Sequence, residues 1–242
     1  MKRGVYMNWK VLVGSLLMGT VLGLVPAVYA PAEVVAAPTA QEAESLRQPH
    51  GRMFYLYNKR VNVNTEEHKV KARKLLIEGK DYPLALAELN LVLDLDKEDA
   101  EAFLLRGLVY TEMDKFSDAD NDYREALRLE PKNPTFLYHR AYNFMLRYSA
   151  EGYGNEYDRA KAEFKEALKI EPYYIDAIVG LGDLYYMAGQ KDKTRSYVRR
   201  SAVKSEFQLA IDQYNKVLVL FGENDILKAK KEMAEQEIRD ME

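Results

Sequence analysis

The sequence predicts an all-α fold, a solenoid of stacked helical hairpins, and three observations carry that expectation. From Glu66 onward an amphipathic helix-turn-helix pattern recurs at a period of roughly 34 residues, inside the range that marks solenoid repeats. Small and aromatic residues return at matched places in each copy, as Gly107, Ala141 and Gly182 do near Tyr110, Phe144 and Tyr185. No cysteine occurs, so disulfides and thiolate-bound metals are excluded and packing between helices has to stabilise the chain. With 48% hydrophobic residues there is enough apolar side chain to build that packing.

The elements follow in order. Lys2, Arg3 and Lys10 precede a charge-free run from Val11 to Ala32, the order of basic, apolar and small-residue regions of a secretory signal peptide. A cut after Ala32 is preferred, because a cut after Ala30 would set the Pro31 ring against the scissile bond. An uncleaved anchor is the alternative, since the run matches the roughly 20 residues that span a bilayer. On either reading the basic flank stays inside, and the rest of the chain is expected to be exported, periplasmic or otherwise extracytoplasmic. Residues 33–65 are expected to form a flexible linker, rich in Ala, Pro, Glu and Gln at first. Its end carries a short aromatic segment, Met53-Phe54-Tyr55-Leu56-Tyr57, expected to lie on the domain.

The clearest copy of the repeat spans residues 100–133. A large residue, Phe103, is followed by the small Gly107 and the aromatic Tyr110 on a first helix. A short turn at Met113 to Lys115 leads to Phe116, Ala119, Tyr123 and Ala126 on a second helix, closed by Pro131. These residues, at this spacing, resemble the tetratricopeptide repeat throughout the copy. The resemblance extends over residues 66–242 and implies a right-handed superhelical solenoid of about four hairpins plus a C-terminal capping helix.

In that register the first repeat covers 66–99, with Leu76, Tyr82, Ala85, Leu89 and Val92 in the pattern, and it departs at Arg73 and Lys97. The third, 134–174, holds Leu137, Ala141, Phe144, Tyr157, Ala160, Phe164, Ala167 and Pro172, with about seven extra residues expected as a long turn around Tyr148 to Asn155. The fourth, 175–224, starts on Ile178, Gly182 and Tyr185. About sixteen basic-rich residues then displace its second helix to Phe207, Ala210, Tyr214 and Val217. Gly222 is expected to end that helix, Asp225 to cap the next, and residues 225–242 to form the solvating cap.

First helices line the concave face in the tetratricopeptide family, so that face is the candidate partner site. Removing the packing positions leaves Lys74 and Glu78, then Leu104, Leu108 and Thr111, on the first two repeats. Tyr138, Tyr142 and Met145 follow on the third, and Val179, Asp183 and Tyr186 on the fourth. The middle of this groove is apolar and aromatic. Leu108 and Tyr142 stand where family members that grip a peptide carboxylate carry Lys, Arg and Asn, so no carboxylate clamp is expected. Two readings stay open: an unidentified protein or peptide docks there, or the chain fills its own groove with its last helix or the Phe54 to Tyr57 segment. A second candidate surface is the insertion at 191–204, where Lys193, Arg195, Arg199 and Arg200 form a basic stretch suited to membrane-surface contact or self-association.

No catalytic role is expected. The histidines, His50, His68 and His139, are scattered away from the i, i+4 spacing of a helical metal site, and no nucleophile and base pair or phosphate-cradling glycine loop is visible. His139 sits at the groove edge, where partly exposed packing is the default role. Neither cofactor nor metal is expected. Nucleic acid is a poor partner for a chain with 35 basic against 38 acidic residues. The sequence therefore points to a non-enzymatic scaffold for protein binding in the cell envelope, with the basic insertion as the alternative route to a partner or membrane.

Overall fold

The computed structural model describes residues 65–79, 81–151 and 155–242, all helix and turn. The expected export signal, the rest of the expected linker and the aromatic segment at 53–57 lie outside the described residues. Helix α1 runs over 65–79 and widens into a π-turn at Leu75–Gly79. Thr65, assigned by sequence to the linker, is already helical and buried. There follow α2 (Tyr82–Leu95), α3 (Ala100–Glu112), α4 (Phe116–Leu129), α5 (Pro134–Glu151), α6 (Glu156–Ile170), α7 (Ile175–Lys193), α8 (Arg200–Phe221) and α9 (Asp225–Arg239).

Short polar side chains start several of these helices by accepting hydrogen bonds from amides that have no partner within the helix. Asp81 takes the Leu84 amide (3.2 Å), Asp99 the Ala102 amide (2.8 Å), and Asn133 the amides of Thr135 and Phe136 (3.0 and 3.3 Å). Asn224, rather than Asp225, caps α9: its extended backbone lets Oδ1 reach the Leu227 amide at 3.0 Å, and Asp225 becomes the first helical residue. Gly222 ends α8 with φ 87°, a left-handed conformation that glycine adopts without a Cβ penalty. Asp114 closes the α3–α4 turn at φ 59°, a conformation aspartate tolerates better than most residues.

Each helix packs on the next, and the first helices also meet one another, α3 with α5 and α5 with α7. Close approach depends on small residues facing rings. A Cβ on Gly107 would stand 2.7 Å from the Tyr123 ring, and one on Gly182 would stand 2.7 Å from Tyr214. Gly180 and Gly189 seat Phe164 and Phe207 in the same way, two glycines the repeat pattern did not single out. Burial of a large apolar side chain contributes about 1.5–3 kcal/mol, so these fully buried rings are principal stabilising elements. The apolar interior is continuous: Phe103 joins the α1–α3 core to the α3–α5 core, and Leu127 joins that one to the core of α5–α9.

The extra residues of the later repeats lengthen helices instead of making long loops. α5 continues through Tyr148 to Glu151, where a turn was expected. α7 and α8 reach 19 and 22 residues against 13 and 14 for α3 and α4, and the insertion is absorbed into their ends with a short turn between.

Polar contacts tie the first three hairpins together at one recurring place. Three of the four second helices carry an acid three residues after the small alanine: Glu88 after Ala85, Asp122 after Ala119, Glu163 after Ala160; α8 carries Gln213 there. A first-helix cation meets each: Lys71 meets Glu88, which also hydrogen-bonds the His68 ring, Arg106 grips Asp122 with two 2.8 Å bonds, and Arg140 lies 3.2 Å from Glu163. Paired in this way, the carboxylates can sit inside the interface between helices. Lys71 holds the Glu88 carboxyl below its usual range against the opposing effect of burial.

Candidate functional site

The face presented by α1, α3, α5 and α7 is shaped by what the second helices require. Tyr123 and Tyr214 occupy equivalent places on α4 and α8, are fully buried, and each bring a hydroxyl that needs a partner. Thr111 of α3 supplies one: the Tyr123 hydroxyl donates to Thr111 Oγ1 at 2.9 Å, and Thr111 donates to the Gly107 carbonyl at 3.0 Å. Asp183 of α7 supplies the other, accepting from the Tyr214 hydroxyl at 2.8 Å. Where the second helix carries Leu89 or Phe164 at that place, no hydroxyl has to be met. Thr111 and Asp183, both read from sequence as groove residues, thus support the core from behind.

Asp183 has a second partner. Lys230 of α9 donates to Oδ1 at 2.8 Å and to Oδ2 at 2.6 Å, and both side chains are buried. The cap is tied to α7 again through Glu237, which accepts from Gln190 at 2.6 Å and lies 2.5 Å from Lys193. Met241 gives its carbonyl to Arg200 at 3.2 Å. The α7 end of the face is therefore engaged by the chain's own last helix.

Sequence-predicted contact residues divide along the solenoid. Leu104, Tyr138, Tyr142, Met145 and Tyr186 are each 8% exposed or less. Tyr138 is enclosed by the rings of Tyr142, Phe164 and Tyr174, with centroids 5.6–6.3 Å away, and Tyr186 stands edge-on to Phe207 at 5.4 Å. Their area is largely spent on contacts between helices, and burial holds the phenols of Tyr138 and Tyr142 far above the usual range. Leu108 is half-buried, and Lys74 extends into solvent with Glu78 3.9 Å away. The α1–α3 end is where the predicted set keeps accessible side chain.

Several cations of the basic insertion pair with groups of the chain itself. Arg195 pairs with Asp192 at 2.9 Å, Lys193 with Glu237, Lys204 with Glu242 at 3.6 Å, and Arg200 with the Met241 carbonyl. Lys191 donates to the last carbonyls of α5, at Tyr148 and at Ser149 (3.1 Å), and stands 4.4 Å from the centroid of the Tyr148 ring. Lys193, Arg199 and Arg200 nevertheless remain exposed, Arg199 just before the start of α8 and near the exposed Tyr197. A run of positive charge in the sequence thus becomes, in three dimensions, the seam between α7, α8 and α9.

Two titratable groups are set apart by burial. His139 is buried, its Nδ1 meets no hydrogen-bond partner among the described residues, and its pKa falls to about 4, so it is neutral near pH 7. Sequence had placed it partly exposed at the groove edge. Asp176, in the first turn of α7, is pushed up to about 6 by burial. No group of three His, Asp or Glu among the described residues is arranged to hold a metal ion, and no described helix is long and apolar enough to cross a membrane.

Tetratricopeptide-repeat family models match residues 100–133 and 154–200. A DnaJ protein P58IPK homolog of Arabidopsis thaliana is 28% identical over 181 residues, 70% of this chain and 37% of that protein, so the chain spans little more than a third of this relative. Among solved structures, a Thermobaculum terrenum O-GlcNAc transferase mutant aligns with a TM-score of 0.50 at 20% identity, covering 65% of this chain and 27% of that one. An Arabidopsis OM64 TPR domain aligns at 0.44 and 23% identity, covering 50% of this chain and 93% of that domain. At 20% identity the likeness to the transferase structure concerns the fold alone.

Proposed function

We propose that this chain, whose repeats are tetratricopeptide repeats, is a non-enzymatic scaffold of the cell envelope that holds a protein or peptide against the face lined by its first helices. The observation that supports the reading is the asymmetry of that face. Its α7 end is engaged by α9 through the Asp183–Lys230 pair, while its α1–α3 end keeps Leu108 half-buried and Lys74 in solvent. The partner docks at the α1–α3 end, with apolar contact at Leu108 and a charge to orient it at Lys74. Export follows from the basic, apolar and small-residue order of residues 1–32.

The test is crosslinking in intact cells followed by capture of the full chain, comparing wild type with a Leu108→Lys, Lys74→Glu double variant. Neither side chain is fully buried, so the variant is expected to keep its helical content and melting temperature. A protein crosslinked to wild type and lost from the folded variant supports the assignment; the same set captured by both refutes it. Protease added outside the cytoplasmic membrane should digest the chain, and protection from it would sink the envelope location.

A further inference from the structure

The outer side of α2 differs from that of the other inner helices in a way the repeat does not require. Leu84, Ala87, Leu91 and Leu95 fall at i, i+3, i+7 and i+11, which puts them on one stripe of the helix. All are exposed, with Leu91 at 48% and Leu95 at 47%. The equivalents of Leu84 and Leu91 are Asp118 and Glu125 on α4, and Arg159 and Glu166 on α6. On α8 they are Leu209, 37% exposed, and Lys216, so α2 is alone among the four second helices in carrying leucine at both places. Among its own residues α2 has no cation; Asp81, Asp94, Asp96 and Glu98 border the stripe with Lys97 among them, and Lys71 and Arg106 reach Glu88 and Asn90 from the neighbouring first helices. An apolar stripe with an acidic border fits an apolar segment with basic ends.

We infer that the stripe on α2 is the docking site for residues 52–60 of the same chain, Arg52-Met-Phe-Tyr-Leu-Tyr-Asn-Lys-Arg60, which lie outside the described residues. The segment is apolar and aromatic from Met53 to Tyr57, with Arg52 before it and Lys59 and Arg60 after it, the complement of the stripe in both respects. Its tether is short enough to favour an intramolecular contact. Lys69 in α1 pairs with Asp99 at 3.0 Å, just past the end of α2, so the start of α1 lies beside the Leu95 end of the stripe. Residues 58–64 extend to at most about 25 Å, and the stripe from Leu84 to Leu95 is about 16 Å long. A second copy of α2 is the poorer occupant, because mating two such stripes brings two acidic borders together.

The cysteine-free sequence permits a direct test on the full chain. Leu56→Cys is combined in turn with Leu84→Cys, Leu91→Cys or Leu95→Cys, and for control with Asp118→Cys or Glu125→Cys on α4. After mild oxidation at several protein concentrations, an intramolecular disulfide to at least one α2 position is expected. Its yield should be at least tenfold above either control and independent of concentration. Equal yields on α2 and α4 overturn the inference. So does a disulfide-linked dimer of Leu91→Cys alone, which names a second copy as occupant, or capture of another protein by that variant, which names an external one. Hydrogen exchange gives a readout without cysteine: a Phe54→Asp, Leu56→Asp variant should exchange faster at residues 82–95 than wild type, and unchanged exchange there overturns the inference as well. The scaffold assignment rests on the opposite face and stands or falls separately.

Discussion

Lys230 Nζ lies 2.6 Å from one oxygen of Asp183 and 2.8 Å from the other, with the Tyr214 hydroxyl 2.8 Å from that second oxygen. Three polar groups from three helices thus meet inside the last hairpin, each supplying what the others lack. Removal of one member leaves a buried charge without its partner, which is costlier than replacing the pair. Lys230→Met is expected to destabilise the chain by about 3–5 kcal/mol. Asp183→Asn with Lys230→Met should recover most of that, because the amide oxygen still accepts from Tyr214. Urea unfolding of the two single variants and the double variant checks this; additive losses would mean that the ion pair is not the coupling.

Gly107 is where two helices come too close for a side chain. Its missing Cβ would stand 2.7 Å from the Tyr123 ring, and that ring is fully buried with its hydroxyl fixed on Thr111. Gly107→Ala is therefore expected to cost about 1–3 kcal/mol through overpacking, despite the better helix propensity of alanine. Thermal unfolding of the variant against wild type reads the sign directly. A stabilised variant would show that the interface relaxes freely.

Asp176 gives a pH dependence of defined sign. Its folded pKa of about 6 lies above the ordinary 3.8, so the folded chain holds the proton more tightly than the unfolded chain does. Its contribution to stability is full below the unfolded value and is lost as pH rises from about 4 to 6. Asp176→Asn should stabilise the chain by about 1–2 kcal/mol at pH 7.5, a figure reduced by the favourable field of the α7 N-terminus on the carboxylate. That gain should vanish near pH 4. Denaturant titration of both proteins at the two pH values tests it.

His139 acts in the opposite direction. Burial lowers its pKa from 6.5 to about 4, so the unfolded chain binds the proton first and stability falls as pH drops through that window. A His139→Leu variant should lose that acid sensitivity, gaining about 2–3 kcal/mol relative to wild type at pH 4 over its difference at pH 7.5. An imidazole that titrates near 6.5 by NMR in the folded chain would contradict the burial argument.

The hairpins were legible because their pattern is a packing rule written locally. A small residue at Gly107 or Gly182 on a first helix, with Tyr123 or Tyr214 on the second helix of the same hairpin, records a contact within one repeat, and the recurring pattern suffices to find it. The candidate face was less legible, since spacing shows which way a side chain points and not what lies opposite. Tyr138, Tyr142 and Met145 project from α5 as periodicity indicates, yet the neighbouring first helix and the turn at Tyr174 already occupy their surroundings. The burial of His139 and the pairing of Lys193 with Glu237 were illegible for the same reason: the neighbours come from distant parts of the chain.

By itself the sequence determined the helices, their pairing into hairpins, the small and aromatic residues that let them approach, and the end of α8 at Gly222. Each depends on residues within one or two turns or one hairpin of each other. Only the tertiary structure decided that Asp183 belongs to Lys230 and Tyr214, that Lys193 and Arg200 close a seam with the last helix, and that α2 turns a row of leucines away from the other described helices. Those outcomes depend on which helix stacks against which. Burial and charge pairing across that stack are set by distances in space that no local spacing records.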